Sequence, residues 1–267
     1  MKIMEISDEA IRLTTMLTLI CIATTLSVGC VGITDPTPNQ AMIRENLIFI
    51  DPNHVDASFI WNLLLDPNSF DRELVNGVDG WLIPTHPVIE LGAGVGILST
   101  YINDRLVIPT QHMAVEPNPY LQLSLEKTRS YNLSGYTIVP KAVAYGTQNV
   151  TISASSTIIK NRIIEESAFV KTITIPATTV QQIATDANFA GNVTLVMNII
   201  GSEFDVILNE AEFLKNNVST IISAVYTSGN NTPDSFAERL EHLEFVEMSR
   251  MEDEGGGYTV MIFEKTA

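Results

Sequence analysis

The run Val88-Ile89-Glu90-Leu91-Gly92-Ala93-Gly94-Val95-Gly96 holds the residues whose types and spacing most readily do chemistry. An apolar segment ends in an acid, a glycine-spaced turn follows, and a helix-like segment begins. Gly92, Gly94 and Gly96 allow positive φ and let a ligand reach the backbone with no Cβ in the way. The start of the helix beyond supplies free N–H groups. A dinucleotide-binding loop spaces its glycines GxGxxG so that a pyrophosphate rests at the helix start. Here the spacing is GxGxG, with Glu90 two residues ahead. That acid repels a phosphate and attracts an ammonium, which suits the methionine end of S-adenosylmethionine (SAM) better than NAD. The same glycines also occur in a plain tight turn.

A second acid adds to the pattern. Glu116 stands 20 residues beyond Gly96, at the end of the apolar run Met113-Ala114-Val115. A doubly wound fold places an acid there to accept from a ribose hydroxyl pair. The alternative is a solvated charge at a strand end or helix start. Other chemistries lack their spacing: the chain has no CxxC, HxxxH, GxSxG or GxxxxGK[ST], so no metal site, hydrolase elbow or P-loop is expected. The only cysteines, Cys21 and Cys30, lie in the N-terminal hydrophobic segment. With 15 Lys+Arg against 31 Asp+Glu, the net charge of -16 repels phosphate backbones and argues against a nucleic-acid partner. Among the histidines, His54 is the one placed to reach a pocket, because it falls on a segment that could cap the fold.

These residues need elements to hold them. From His86 onward, strand-like and helix-like segments alternate: Val88 to Leu91, Val95 to Leu106, His112 to Val115, Tyr120 to Tyr131, then Thr194 to Ile200, Phe204 to Lys215, Thr220 to Val225, Asp234 to Leu240, and a closing strand pair at Leu243 to Met248 and Tyr258 to Phe263. Such alternation predicts an α/β doubly wound, mostly parallel sheet with helices on both faces. The Thr-, Ile- and Val-rich stretch from Asn149 to Pro176 lacks a helix and reads as a hairpin insertion. Ahead of this domain (86–267), residues 39–85 read as a cap of short helices with turns at Asp51-Pro52-Asn53 and Asp66-Pro67-Asn68. Residues 1–38 are a hydrophobic segment and a Pro-rich linker. Its uncharged run, 13–33, is long enough to cross a bilayer and implies membrane association. It also fits a cleaved signal, or a helix packed on a cytoplasmic domain.

The chain from about His86 to its end resembles the FkbM family of SAM-dependent methyltransferases. Glu90-Leu91-Gly92-Ala93-Gly94-Val95-Gly96 followed by Val115-Glu116-Pro117-Asn118-Pro119 is similar to that family's glycine loop and EPNP-like turn. Tyr131-Asn132 with Ile138 to Ala144 resembles its next strand, and Thr174 to Ile183 its turn and helix before the fourth strand. The resemblance implies a class I methyltransferase-like fold of seven strands, with SAM as cofactor. It places Glu90, Gly92, Ala93, Gly94, Gly96, Glu116, Pro117, Asn118 and Ala142 at that cofactor. It also implies O-methylation of a hydroxyl on a small molecule or glycan.

One departure falls at the catalytic end. Where the family carries Asp-x-Glu-Gly-x-Glu, this chain has Asn198-Ile199-Ile200-Gly201-Ser202-Glu203. Asn198 orients by hydrogen bonding but takes no proton, and Ile200 does neither. Asn198 and Glu203 are therefore the catalytic candidates, with Glu203 the motif's remaining carboxylate. Glu203 equally fits a charge at a helix start, with Ser202 as N-cap and Asp205 completing a capping box. On this reading turnover is slow, and restoring Asn198→Asp with Ile200→Glu raises it. The alternatives are a catalytically impaired SAM-binding or membrane-tethered interaction domain, and a Rossmann oxidoreductase, which the glycine spacing and Glu90 disfavour.

Overall fold

The computed structural model describes residues 39–55, 57–153, 172–253 and 257–266. The uncharged run 13–33 lies outside them. Among the described residues, no helix is long and apolar enough to cross a membrane.

The centre is a seven-stranded sheet in the order β5 (Thr137–Val139), β4 (His112–Val115), β3 (Val88–Leu91), β9 (Val193–Met197), β10 (Val218–Val225), β12 (Thr259–Lys265), β11 (Phe245–Glu252). The first five run parallel, whereas β12 is antiparallel to both of its neighbours. Every residue of β3 and β9 is buried, as expected of parallel strands covered on both faces, which read as unbroken apolar runs. At the edge, β11 alternates buried Phe245 with exposed Val246 and onward at period two.

Helices cover both faces. On one side α2 (Arg72–Trp81) and α3 (Ile97–Asn103) bury Leu74, Val75, Val78, Leu98 and Ile102 against Val196, Ile222 and Ile262. On the other, α5 (Val180–Asp186), α6 (Glu203–Asn209), α7 (Ala211–Asn217) and α8 (Pro233–Glu241) bury Ile183, Phe204, Leu214 and Phe236 against Leu195, Ile221 and Phe263. The helix expected over Phe204 to Lys215 is thus two. Glu210 stands at the break, its carboxylate turned inward to accept from the N–H groups of Val180 (2.6 Å) and Gln181 (3.4 Å) at the start of α5.

The cap segment differs from expectation as well. Its first part is a hairpin of β1 (Gln40–Ile43) and β2 (Asn46–Phe49), turned by Arg44 and Glu45 at φ 47° and 73°. The alternation of exposed Gln40 and Met42 with buried Ala41 and Ile43 is the period-two signal of a strand. The turn lacks the glycine or asparagine that usually marks such geometry. The outer edge of β2 is satisfied by α4 (Pro119–Tyr131) and its C-cap: Asn132 takes both backbone groups of Leu47 at 2.9 Å, and Thr128 accepts from Phe49 N–H at 3.0 Å. Helices follow as expected, α1 (Ala57–Leu65) and then α2. In the insertion, β7 (Asn149–Ser153) pairs antiparallel with β8 (Thr172–Thr178), and β6 (Ala142–Val143) pairs with β8 in parallel.

Candidate functional site

The strand order reverses direction at β3, which is flanked by β4 on one side and β9 on the other. At such a switch point the loops leaving the carboxyl ends of the strands part and open a crevice. Here the crevice is a cavity of about 720 Å³. Leu91 pairs with Val115 and with Met197, so three strands end level, and Gly92, Glu116 and Asn198 emerge together.

The three glycines do different work. Gly92 donates to Val115 O at 2.9 Å while Asn198 donates to Leu91 O at 2.9 Å, which presses the loop onto the end of β9. A Cβ on Gly92, at φ 90°, would lie 2.1 Å from the carbonyl oxygen of Asn198. Gly94, at φ 57°, is the reverse: a Cβ there would meet nothing within 4 Å, and the residue lines the cavity. A Cβ on Gly96 would lie 2.9 Å from Leu125 Cδ1 and 3.1 Å from Tyr136 Oη, so this glycine serves the packing of α3 on α4. Gly96 lies outside the cavity lining.

Glu116 is buried and belongs to the lining. One carboxylate oxygen accepts from Gly94 N–H and the other from Asn118 N–H, both at 2.8 Å. Burial pushes its pKa up to about 7 against those two hydrogen bonds, and the charge of Glu90 adds to the rise. It is therefore no solvated strand-end charge. Asn118 caps α4 by accepting from Tyr120 N–H at 3.0 Å, with Pro119 at the first helical position. Ala93, Pro117, Asn118 and Ala142 line the cavity alongside.

Glu90 and Glu203 are placed elsewhere than the sequence suggests. Glu90 is buried beneath the loop, outside the lining, with Oε2 3.2 Å from Nε2 of His112 on β4. It reaches the cavity through its field only. Glu203 is also buried and outside the lining; its carboxylate accepts from Gly201 N–H at 2.7 Å and Tyr226 N–H at 2.8 Å, tying the loop after β9 to the end of β10. Ser202 makes no side-chain cap, so the capping box with Asp205 does not form. His54 lies outside the lining, with Nδ1 2.9 Å from the accepting Oδ2 of Asp51 and its ring stacked on Tyr120.

Asn198 does line the cavity, and two residues that sequence reasoning missed join it there. Tyr226 Oη lies 3.0 Å from Asn198 Oδ1, and Asn198 Nδ2 lies 3.3 Å from Asp71 Oδ2. Asp71, at the N-terminus of α2 with φ 47°, has its pKa raised to about 7, first by burial and then by the charge of Glu90. It is 127 residues from Asn198 in the chain, so no local motif could link the two. This placement bears on the Asn198→Asp half of the paired restoration with Ile200→Glu. An aspartate there would face Asp71, and two adjoining carboxylates hold one proton between them.

Asp253, Tyr258, Phe59, Leu63 and Phe70 complete this end of the cavity. No Lys, Arg or His belongs to the lining among the described residues, whereas Asp71, Glu116 and Asp253 do. The wall thus carries acidic and aromatic side chains without a basic one, a surface that favours cations and repels anions increasingly as pH rises through about 7.

No protein-family model and no curated protein sequence matches the chain. Solved structures with a similar fold include magnesium protoporphyrin IX methyltransferase from Synechocystis with bound SAM, at 9% identity, covering 99% of this chain and 100% of that one, with a TM-score of 0.48. Fibrillarin from Aeropyrum pernix, with natively bound SAM, gives 9% identity, coverage of 73% and 76%, and a TM-score of 0.44. A protein of the NADB-Rossmann superfamily from Streptococcus agalactiae gives 13%, 72% and 68%, and 0.45. The strand order is what identifies the fold: five parallel strands with the switch at β3, closed by β12 inserted antiparallel between β10 and β11, form a class I methyltransferase-like sheet.

Proposed function

We propose that this chain binds SAM in the cavity at the switch point and methylates a hydroxyl of a small molecule or glycan, as the resemblance to the FkbM family implies. The observation that carries the reading is the pairing of Gly94 with Glu116: backbone that faces open cavity, beside a buried carboxylate whose oxygens keep lone pairs for a diol. The residues present fit the cofactor. Gly94 leaves the room that a nucleoside needs, Ala142 and Val143 offer an apolar wall, and a lining without basic side chains suits a ligand that carries a sulfonium and an ammonium. Bound there, SAM supplies an electrophilic methyl group. Glu116 accepts from the ribose hydroxyls, and Asn198 positions groups at the far end. The same acidic wall disfavours a carboxylate or phosphate on the acceptor.

Glu116→Ala is expected to raise the dissociation constant for SAM roughly tenfold, since a hydrogen bond to a charged group contributes about 1.5–3 kcal/mol. Glu116→Gln loses less. Because the carboxylate is the better acceptor, affinity falls as pH drops through about 7, the pKa of Glu116. The fall from pH 8 to pH 6 reaches at most roughly tenfold and is absent from the Gln variant. Calorimetric titration of the three proteins at both pH values measures this. Equal affinities throughout would mean that no ribose meets Glu116.

A further inference from the structure

The altered fourth-strand motif removes two acids from the place where a hydroxyl must lose its proton, and the structure returns one from another element. Glu203 and Glu90 are turned away from the cavity, and both oxygens of Glu116 are held by backbone N–H groups. Asp253 and Asp71 both line the cavity, each with one carboxylate oxygen accepting a hydrogen bond, but Asp253 accepts from Gly257 N–H at 3.2 Å whereas Asp71 is bonded to the altered motif itself. Asp71 is therefore the acid at the right place. It touches Asn198, and Asn198 touches the glycine loop, through its N–H to Leu91 O and through its carbonyl against Gly92.

The amide is oriented from both sides. A carboxylate only accepts, so the nitrogen of Asn198 must face Asp71, and its oxygen then faces the hydroxyl of Tyr226. Asn198 engages one oxygen of Asp71, which leaves the carboxyl group with acceptor capacity toward the cavity. The backbone of Asp71 sits in the left-handed region, at φ 47°, a conformation more often held at functional positions than elsewhere.

Resting on the reading of the site as a methyltransferase centre, we propose that Asp71 is the general base that takes the proton of the acceptor's hydroxyl, with Asn198 and Tyr226 as positioning residues. The hydroxyl proton passes to the Asp71 carboxylate and the acceptor's oxygen forms the new bond to the methyl carbon. The electron pair of the broken carbon–sulfur bond stays with sulfur, and the protonated Asp71 returns its proton to solvent. The charged and titratable groups that act on Asp71 are Glu90 from β3, Glu73 from its own helix and Asp253 after β11, with Tyr226 and Tyr258 beside it. All the carboxylates among them raise its proton affinity, so the base is poised near neutrality, where general bases work best.

The test uses the full chain. Carbon-13 carboxyl NMR of the protein without ligand is expected to show one aspartate titrating near pH 7, absent from Asp71→Asn and displaced in Tyr226→Phe. Release of S-adenosylhomocysteine is then followed against a panel of sugars and polyols. Asp71→Asn should lower turnover roughly 10²–10⁴-fold and remove the limb near pH 7, with SAM still bound and its loss of affinity by calorimetry far smaller than the loss of turnover. Asn198→Asp should lower turnover and shift that limb upward. Turnover of folded, SAM-binding Asp71→Asn within threefold of wild type, or an Asp71 midpoint below 5, would overturn the assignment. If no acceptor in the panel is methylated, the NMR titration decides: a midpoint near 7 that moves in Tyr226→Phe supports it. Absence of SAM binding by the wild type is a different failure, which overturns the functional reading itself.

Discussion

Gly92→Ala is expected to lower the melting temperature by roughly 10 °C. Two penalties combine: an alanine held at φ 90° carries about 1–3 kcal/mol of backbone strain, and its Cβ would sit 2.1 Å from the carbonyl oxygen of Asn198. The second contact is with backbone, which cannot rotate aside, so the loop must lift off β9 at an overpacking cost of about 1–3 kcal/mol more. Each kcal/mol moves the midpoint of a chain this size by roughly 2–4 °C. Gly146→Ala is the control, since it has φ 70° and nothing within 4 Å of a built Cβ. Calorimetric melting of both variants separates strain from collision. Equal, small shifts would mean that the loop is not pressed onto β9 as described.

Gly94→Val carries the strain of a β-branched residue at φ 57°, about 1–3 kcal/mol, so it should fold with a lowered melting temperature, and it should abolish most ligand affinity, by roughly 100-fold or more. No atom lies within 4 Å of a Cβ at this position, so the branched side chain enters the cavity itself. It would hold a ribose away from Glu116, which alone costs roughly the tenfold expected of Glu116→Ala, and by occupying the space of the nucleoside it removes packing contacts worth roughly another tenfold. Gly94→Ala should fall between. Titration of SAM into folded variants gives the answer, and wild-type affinity in Gly94→Val would place the ligand elsewhere.

The contrast between these two glycines shows what was legible in the sequence. The GxGxG spacing and Glu116 sit within one strand-turn-helix-strand unit, so local order alone brought Gly94 and Glu116 together, and the structure joins them at 2.8 Å. Sequence spacing could not tell that a Cβ on Gly92 or Gly96 would meet protein while one on Gly94 would meet open cavity, nor that Gly92 and Gly94 line the cavity and Gly96 does not. Nor could it show that Glu90 and Glu203, though in the right motifs, turn inward to His112 and to backbone N–H groups. A strand-end acid points into or away from a crevice according to the pleat and its neighbours. Asp71 and Tyr226 were illegible for another reason: they come from α2 and the end of β10, and only the packing of distant elements sets them beside Asn198. The β1–β2 hairpin had a readable alternation, but its Arg44-Glu45 turn offers none of the residues that ordinarily announce positive φ.

In the proposed function the crevice at β3 holds SAM against Gly94 and Glu116. Isothermal titration of the full chain with SAM, and separately with NAD, tests it most directly. One SAM should bind per chain, weakened in Glu116→Ala and nearly lost in Gly94→Val, with no heat from NAD. Binding of NAD, or SAM affinity unchanged in both folded variants, would contradict it.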